Sequence, residues 1–178
     1  MRPAEGAALR WPDVDLKDRR VTIRSAVVRL NDGWAVVPHI KTHAVGTLGV
    51  SPATARALER HRAQQAMLKL KHGTRYDDQG FVFANEIGQL YIPSNLSKRF
   101  RDLADTAGIP AECTLYSLRH SAATHRLHRK QDPVSVAKVL RHKSTALLYK
   151  TYGHAIPDEK QAQLTDTLGL SYGDHAAG

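Results

Sequence analysis

Two hydrophobic periodicities divide this chain, and their order limits the folds open to it. From Arg20 to Val37 apolar and β-branched residues dominate, in "RVTIRSAVV" and "WAVVPHI" on either side of Asn31 to Gly33. β-branched side chains fit a pleated surface and Asn-Asp-Gly supplies a tight reversal, so this stretch predicts an antiparallel hairpin. A third strand is expected around Thr47 to Val50, with Lys41 in the connection before it. After Ser51 the pattern is helical, punctuated by Pro and Gly. Ser51 caps and Pro52 opens a helix running to about Leu70, with Leu58, Met67 and Leu68 in its apolar stripe. "FVFA" reads as a short strand, "NEIGQL" as a turn, and "PSNLSKRFRDLADTAG" as a helix stopped at Gly108. Thr114 caps a helix through about Arg129, Pro133 opens one to Arg141, Ser144 caps one containing Tyr152, and Pro157 starts the last. The opening "RPAEGAALRW" reads as a short helix with no N-cap, so Arg2 is expected in a frayed first turn. The fold class expected is mainly α with a small three-stranded antiparallel β-sheet, an α+β arrangement.

A chain of 178 residues can bury the core of one domain. No run of 18 or more apolar residues occurs, so no membrane span is expected, and the N-terminus lacks the basic-then-apolar order of a signal peptide. Cys113 is the single cysteine; no internal disulfide can form, which fits a reducing cytosol and a cytoplasmic location. Lys and Arg number 26 against 17 Asp and Glu, a formal net charge of +9. Such a surplus favours nucleic acid through counterion release. The ten histidines form no H-E-x-x-H pair and no C-x-x-C exists, so neither a metal nor another cofactor is expected.

The chemistry gathers in the last third, in "LYSLRHSAAT", "VLRHKS" and "YKTYGHA". Tyr116 and Arg119 are three residues apart and share a helix face, whereas His120 is turned about 100° from Arg119 and need not point the same way. His142 follows Arg119 by 23 residues, and Tyr152 follows His142 by ten. An arginine fork neutralises phosphate charge, a histidine donates a hydrogen bond, and a tyrosine hydroxyl can attack phosphorus as a covalent nucleophile. Tyr149 competes with Tyr152 for that last role; the interval from His142 and the following "GH" favour Tyr152.

These boxes resemble those of the tyrosine recombinase, or phage integrase, family, in order and over about the whole chain. The family's H-x-L-R-H is "YSLRH" here, matching Arg119 to its second catalytic arginine and Tyr116 to the position usually held by His. "LRHKS" is similar to the family's "LGHSS" and places His142; "KTYGH" is similar to "DTYGH" and places the nucleophile at Tyr152. "MRPAEGAALRWPDVDL" resembles "GLRPGELLALRWEDVDL", matching Arg2 to the first catalytic arginine and Glu5 to the conserved-box acid; Lys41 in "PHIKTH" looks like the hairpin lysine.

The resemblance implies a site-specific DNA recombinase or integrase of a mobile element, acting on double-stranded DNA as a homo-oligomer, a tetramer on DNA. Tyr152 would form a 3′-phosphotyrosyl link, Arg2 and Arg119 would hold the nonbridging oxygens, and Lys41 would protonate the leaving oxygen. His142 and Tyr116 would hydrogen-bond around the phosphate. Tyr116 is either a functional replacement for His or a tolerated aromatic. The expected organisation is a catalytic domain over 1–170, lacking its first helices and an N-terminal core-binding domain, with a frayed tail at 171–178. The alternative is a noncatalytic DNA-binding remnant or a truncated gene fragment of an integrase.

Overall fold

The β-rich run does not form one long strand. It breaks at Arg24, whose Nε donates to Asp13 Oδ1 at 2.7 Å, and the two halves enter different sheets. In this computed structural model, which describes residues 1–38, 45–141 and 145–152, strand β1 spans Val14–Asp15, β2 Arg20–Ile23, β3 Ser25–Leu30, β4 Gly33–Pro38 and β5 Gly46–Gly49. A three-stranded antiparallel sheet exists, but its strands are β1, β2 and β5 rather than the hairpin and a third strand as expected, with Val14 opposite Val21 and Val21 opposite Leu48. The hairpin is a separate two-stranded sheet of β3 and β4, in register from Ser25 with Pro38 to Leu30 with Gly33. Its two-residue connection is Asn31-Asp32. Neither takes a positive φ; Gly33 does, at 145°, a conformation closed to most side chains.

The chain divides into two units, Met1–Arg119 and the remainder from His120. In the first, helix α1 (Pro3–Ala7) packs on β3 and on α3 (Pro93–Thr106) around Ala7, Ala8 and Val27, with Val36, Leu90 and Leu96 alongside. A second cluster gathers Leu9, Val21 and Val82 with Trp11, Val50 and Leu58. "FVFA" is not a strand. Its segment makes isolated bridges, Arg10 with Phe81 and Ala84 with Leu90, and burial of Phe81 and Val82 rather than a ladder holds it. The turn that follows needs Gly88: at φ 85° a Cβ there would lie 2.5 Å from the Asp77 carbonyl oxygen.

Helix α2 (Pro52–His72) begins as expected, with Ser51 accepting from the Thr54 N–H at 3.1 Å. Its inward face differs. Met67 is 70% exposed, whereas Leu58, His61, Gln65 and Leu68 are half-buried. Gln65 accepts from Trp11 Nε1 at 2.7 Å and donates to the Val82 carbonyl at 2.9 Å, and a His61 ring nitrogen lies 2.6 Å from that same carbonyl. The β-poor segment around residue 82 offers unpaired carbonyls, so polar side chains take the inward positions that an apolar pattern would give to Met67.

Helix α4 (Leu115–His128) carries Tyr116, Arg119 and His120. In the second unit α5 (Pro133–Leu140) and α6 (Thr145–Tyr152) form a cluster with Ala123 and Leu127 of α4, built on Val136, Ala137, Leu140 and Leu148. Each fully buried Leu or Val side chain contributes about 1.5–3 kcal/mol. The expected Ser144 cap and the helix at Pro157 lie outside the described residues. No helix among the described residues is long and apolar enough to cross a membrane.

Candidate active site

Arg2 is not frayed. It is the N-cap of α1, in an extended conformation, and Glu5 three residues on reaches back to it. Glu5 Oε2 accepts the Arg2 backbone N–H at 2.7 Å, and Oε1 lies 3.1 Å from Arg2 Nη1. The N3 carboxylate thus does what a capping box does at other helix starts. Glu5 is 2% exposed, so its charge is buried against the guanidinium. The Arg2 side chain keeps 31% exposure and uses one of its five N–H donors in this bond.

The start of α4 is fixed twice. Thr114 Oγ1 accepts from Ser117 N–H at 3.0 Å while Ser117 Oγ accepts from Thr114 N–H at 2.7 Å. The loop before it is strapped to α3 by Arg101, which donates to the carbonyls of Ile109, Pro110 and Cys113 at 2.7, 3.0 and 2.9 Å. One turn into this anchored helix comes Arg119, 7% exposed. A buried guanidinium on a rigid element is preorganised for an oxyanion. Tyr116, in the family's His position, is 53% exposed.

Tyr152 lies on α6 and is 3% exposed. Its hydroxyl lies 2.7 Å from Nδ1 of His120, with the rings 5.4 Å apart and inclined at 45°. The sequence reading set His120 aside because it follows Arg119 by one residue. The missed signal was a different spacing: His120, Ala123 and Leu127 recur at three and four residues, and the latter two are core. Tyr149 packs against the same core, and its buried hydroxyl has no hydrogen-bond partner among the described residues. Burial, and then the charge of Asp132, push that hydroxyl's pKa up, which disfavours a phenolate there.

Lys41 and His142 lie outside the described residues. The residue before His142 is described. Arg141 ends α5 in the left-handed region, φ 54° and ψ 48°, where the similar "LGHSS" box has glycine. Arg2 and Arg119 belong to the first unit, His120 and Tyr152 to the second. Among the described residues no group of three or more His, Cys, Asp or Glu could hold a metal ion.

The phage integrase family model matches residues 1–159. The chain belongs to the phage integrase family. Among curated relatives of this integrase-family chain, the tyrosine recombinase XerC-like protein of Caldanaerobacter subterraneus subsp. tengcongensis is 26% identical over 90% of the chain and 44% of the relative. The tyrosine recombinase XerD of Listeria innocua is 34% identical over 54% of the chain and 32% of its own length. The chain therefore spans less than half the length of these relatives. Among solved structures, the Tn1549 transposon integrase in complex with transposon right end DNA superposes with a TM-score of 0.72 at 18% identity, over 94% of this chain and 55% of that one. The XerA recombinase superposes with a TM-score of 0.64 at 21% identity, over 98% of this chain and 54% of that one. The mainly helical fold with small antiparallel sheets is that of tyrosine recombinase catalytic domains.

Proposed function

We propose that this chain is the catalytic domain of a site-specific DNA recombinase that cuts and rejoins strands through a 3′-phosphotyrosyl intermediate at Tyr152. The observation that carries the reading is the contrast between the two tyrosines of α6. Tyr152 has its hydroxyl on a hydrogen-bonding imidazole, whereas Tyr149 has an apolar setting that disfavours ionisation. Family membership and the DNA bound by the Tn1549 integrase support DNA as the substrate, as does the charge of +9.

Tyr152 oxygen attacks phosphorus and the 5′ oxygen leaves as a hydroxyl. Arg119 and Arg2 grip the nonbridging oxygens, where guanidinium forks match the charge developing in the transition state. Lys41 supplies the leaving-group proton and His142 and Tyr116 hydrogen-bond the phosphate, roles that rest on the family boxes. Attack by another strand's 5′-hydroxyl reverses the step, so the bond energy is conserved without ATP. Working as a tetramer on DNA, and joined to a core-binding domain preceding the first arginine, the domain would exchange strands in a mobile element. A nicked suicide DNA should trap a covalent protein–DNA adduct with the wild-type chain, in excess EDTA, and none with Tyr152→Phe. An adduct of undiminished yield with Tyr152→Phe would reject the reading.

A further inference from the structure

The imidazole that meets Tyr152 is not at the box position to which the resemblance gave a role. The first His of the H-x-L-R-H box is Tyr116 here, and it is the closing His120, on the other side of Arg119, whose Nδ1 lies 2.7 Å from the Tyr152 hydroxyl. We propose that His120 is a further catalytic residue of this chain, the group that takes the proton from Tyr152 as its oxygen bonds to phosphorus. The inference rests on the reading of Tyr152 as nucleophile.

Three observations support it. An unperturbed phenol titrates near 10, so near neutral pH a tyrosine attacks well only if a base takes its proton, and an imidazole titrating near 6.5 is suited to that task. The separation of 2.7 Å is a hydrogen bond within the range a general base needs. Tyr152 is 3% exposed, so bulk water is not the acceptor at hand.

The step balances. The Tyr152 O–H bond breaks and its proton passes to Nδ1, the Tyr152 O–P bond forms, and the P–O5′ bond breaks. The 5′ oxygen takes a proton from the general acid, assigned above to Lys41. In the reverse step the imidazolium returns its proton to the departing tyrosine oxygen. His120 must therefore begin as the neutral tautomer protonated on Nε2.

Two measurements on the full chain test this. His120→Asn keeps an acceptor near the Nδ1 position but cannot carry the proton. It should slow adduct formation by about 10²-fold or more, the usual contribution of general base catalysis. A substrate with sulfur at the 5′ bridging position needs no leaving-group proton. It should restore a Lys41→Ala variant and leave the His120→Asn defect in place. Cleavage by His120→Asn within about threefold of wild type would overturn the proposal, as would its rescue by the sulfur substrate. A wild-type chain leaving its adduct on a residue other than Tyr152 would instead reject the nucleophile reading itself. The second measurement needs no turnover: ring ¹⁵N NMR should find Nδ1 of neutral His120 unprotonated, with its shift moving on Tyr152→Phe. A proton resident on Nδ1 of the neutral ring would make Tyr152 the acceptor and refute the assignment.

Discussion

Arg101 offers a test of how the first unit positions Arg119. One guanidinium ties α3 to the loop before α4: Nη2 donates to the Ile109 carbonyl at 2.7 Å, and Nη1 to those of Pro110 and Cys113 at 3.0 and 2.9 Å, with a longer contact to Ala111 at 3.3 Å. Nε donates to Asp105 Oδ1 at 2.9 Å. Hydrogen bonds to a charged group contribute about 1.5–3 kcal/mol each when buried. The side chain is 26% exposed and the freed carbonyls can turn to water, so the three short carbonyl bonds together are worth about 2–3 kcal/mol. Arg101→Ala should therefore lower the Tm of the first unit by roughly 5–10 °C, at about 2–4 °C per kcal/mol for a chain of this size. Arg101→Lys should recover less than half, because an ammonium cannot span carbonyls spread over five residues. Both tryptophans, Trp11 and Trp34, lie in the first unit, so their fluorescence reports this transition even if the second unit melts separately. Cleavage should fall more than binding, since a shift of about 1 Å at a catalytic group can cost roughly 10²-fold. A Tm within about 1 °C of wild type for Arg101→Ala would refute the reasoning.

Arg119→Ala should remove about 10²–10³ of the cleavage rate, with Arg119→Lys rescuing it poorly; a lysine variant that cleaves like wild type would show that no bidentate grip is used. Glu5→Gln keeps the shape of the α1 cap but loses the charge facing Arg2. It should destabilise the first unit by about 1–2 kcal/mol and raise the KM for DNA, and an unchanged denaturation midpoint and KM would remove Glu5 from the site. Binding of the 178-residue chain to nonspecific DNA should weaken steeply between about 50 and 200 mM salt; a flat titration would mean the +9 charge is not what holds the duplex.

The helices were legible because their punctuation is local. Ser51, Thr114 and Pro133 act within one turn of where they stand, and each begins the helix its sequence announces. The sheet was legible in content but not in partition, since the run from Arg20 passes from one sheet to the other at Arg24, a point that no periodicity marks. Met67 was misplaced for a related reason: carbonyls left unpaired near residue 82 draw Gln65 and His61 inward, and that demand is tertiary. Arg2 was misread as frayed because Arg is a rare cap; the signal lay instead in Glu5 at N3. At the candidate site the motif spacing pointed to Arg119 and Tyr152 but not to His120, whose contact with the Tyr152 hydroxyl depends on which helix packs against its face.

The most direct test of the central claim is to map the covalent adduct. A nicked suicide DNA incubated with the full chain, digested with protease and nuclease and sequenced by mass spectrometry, should place the nucleotide remnant on Tyr152, joined through a 3′-phosphate. A remnant on Tyr149, whose hydroxyl is buried and pushed toward the protonated form, would contradict the account, and so would a 5′-phosphate linkage.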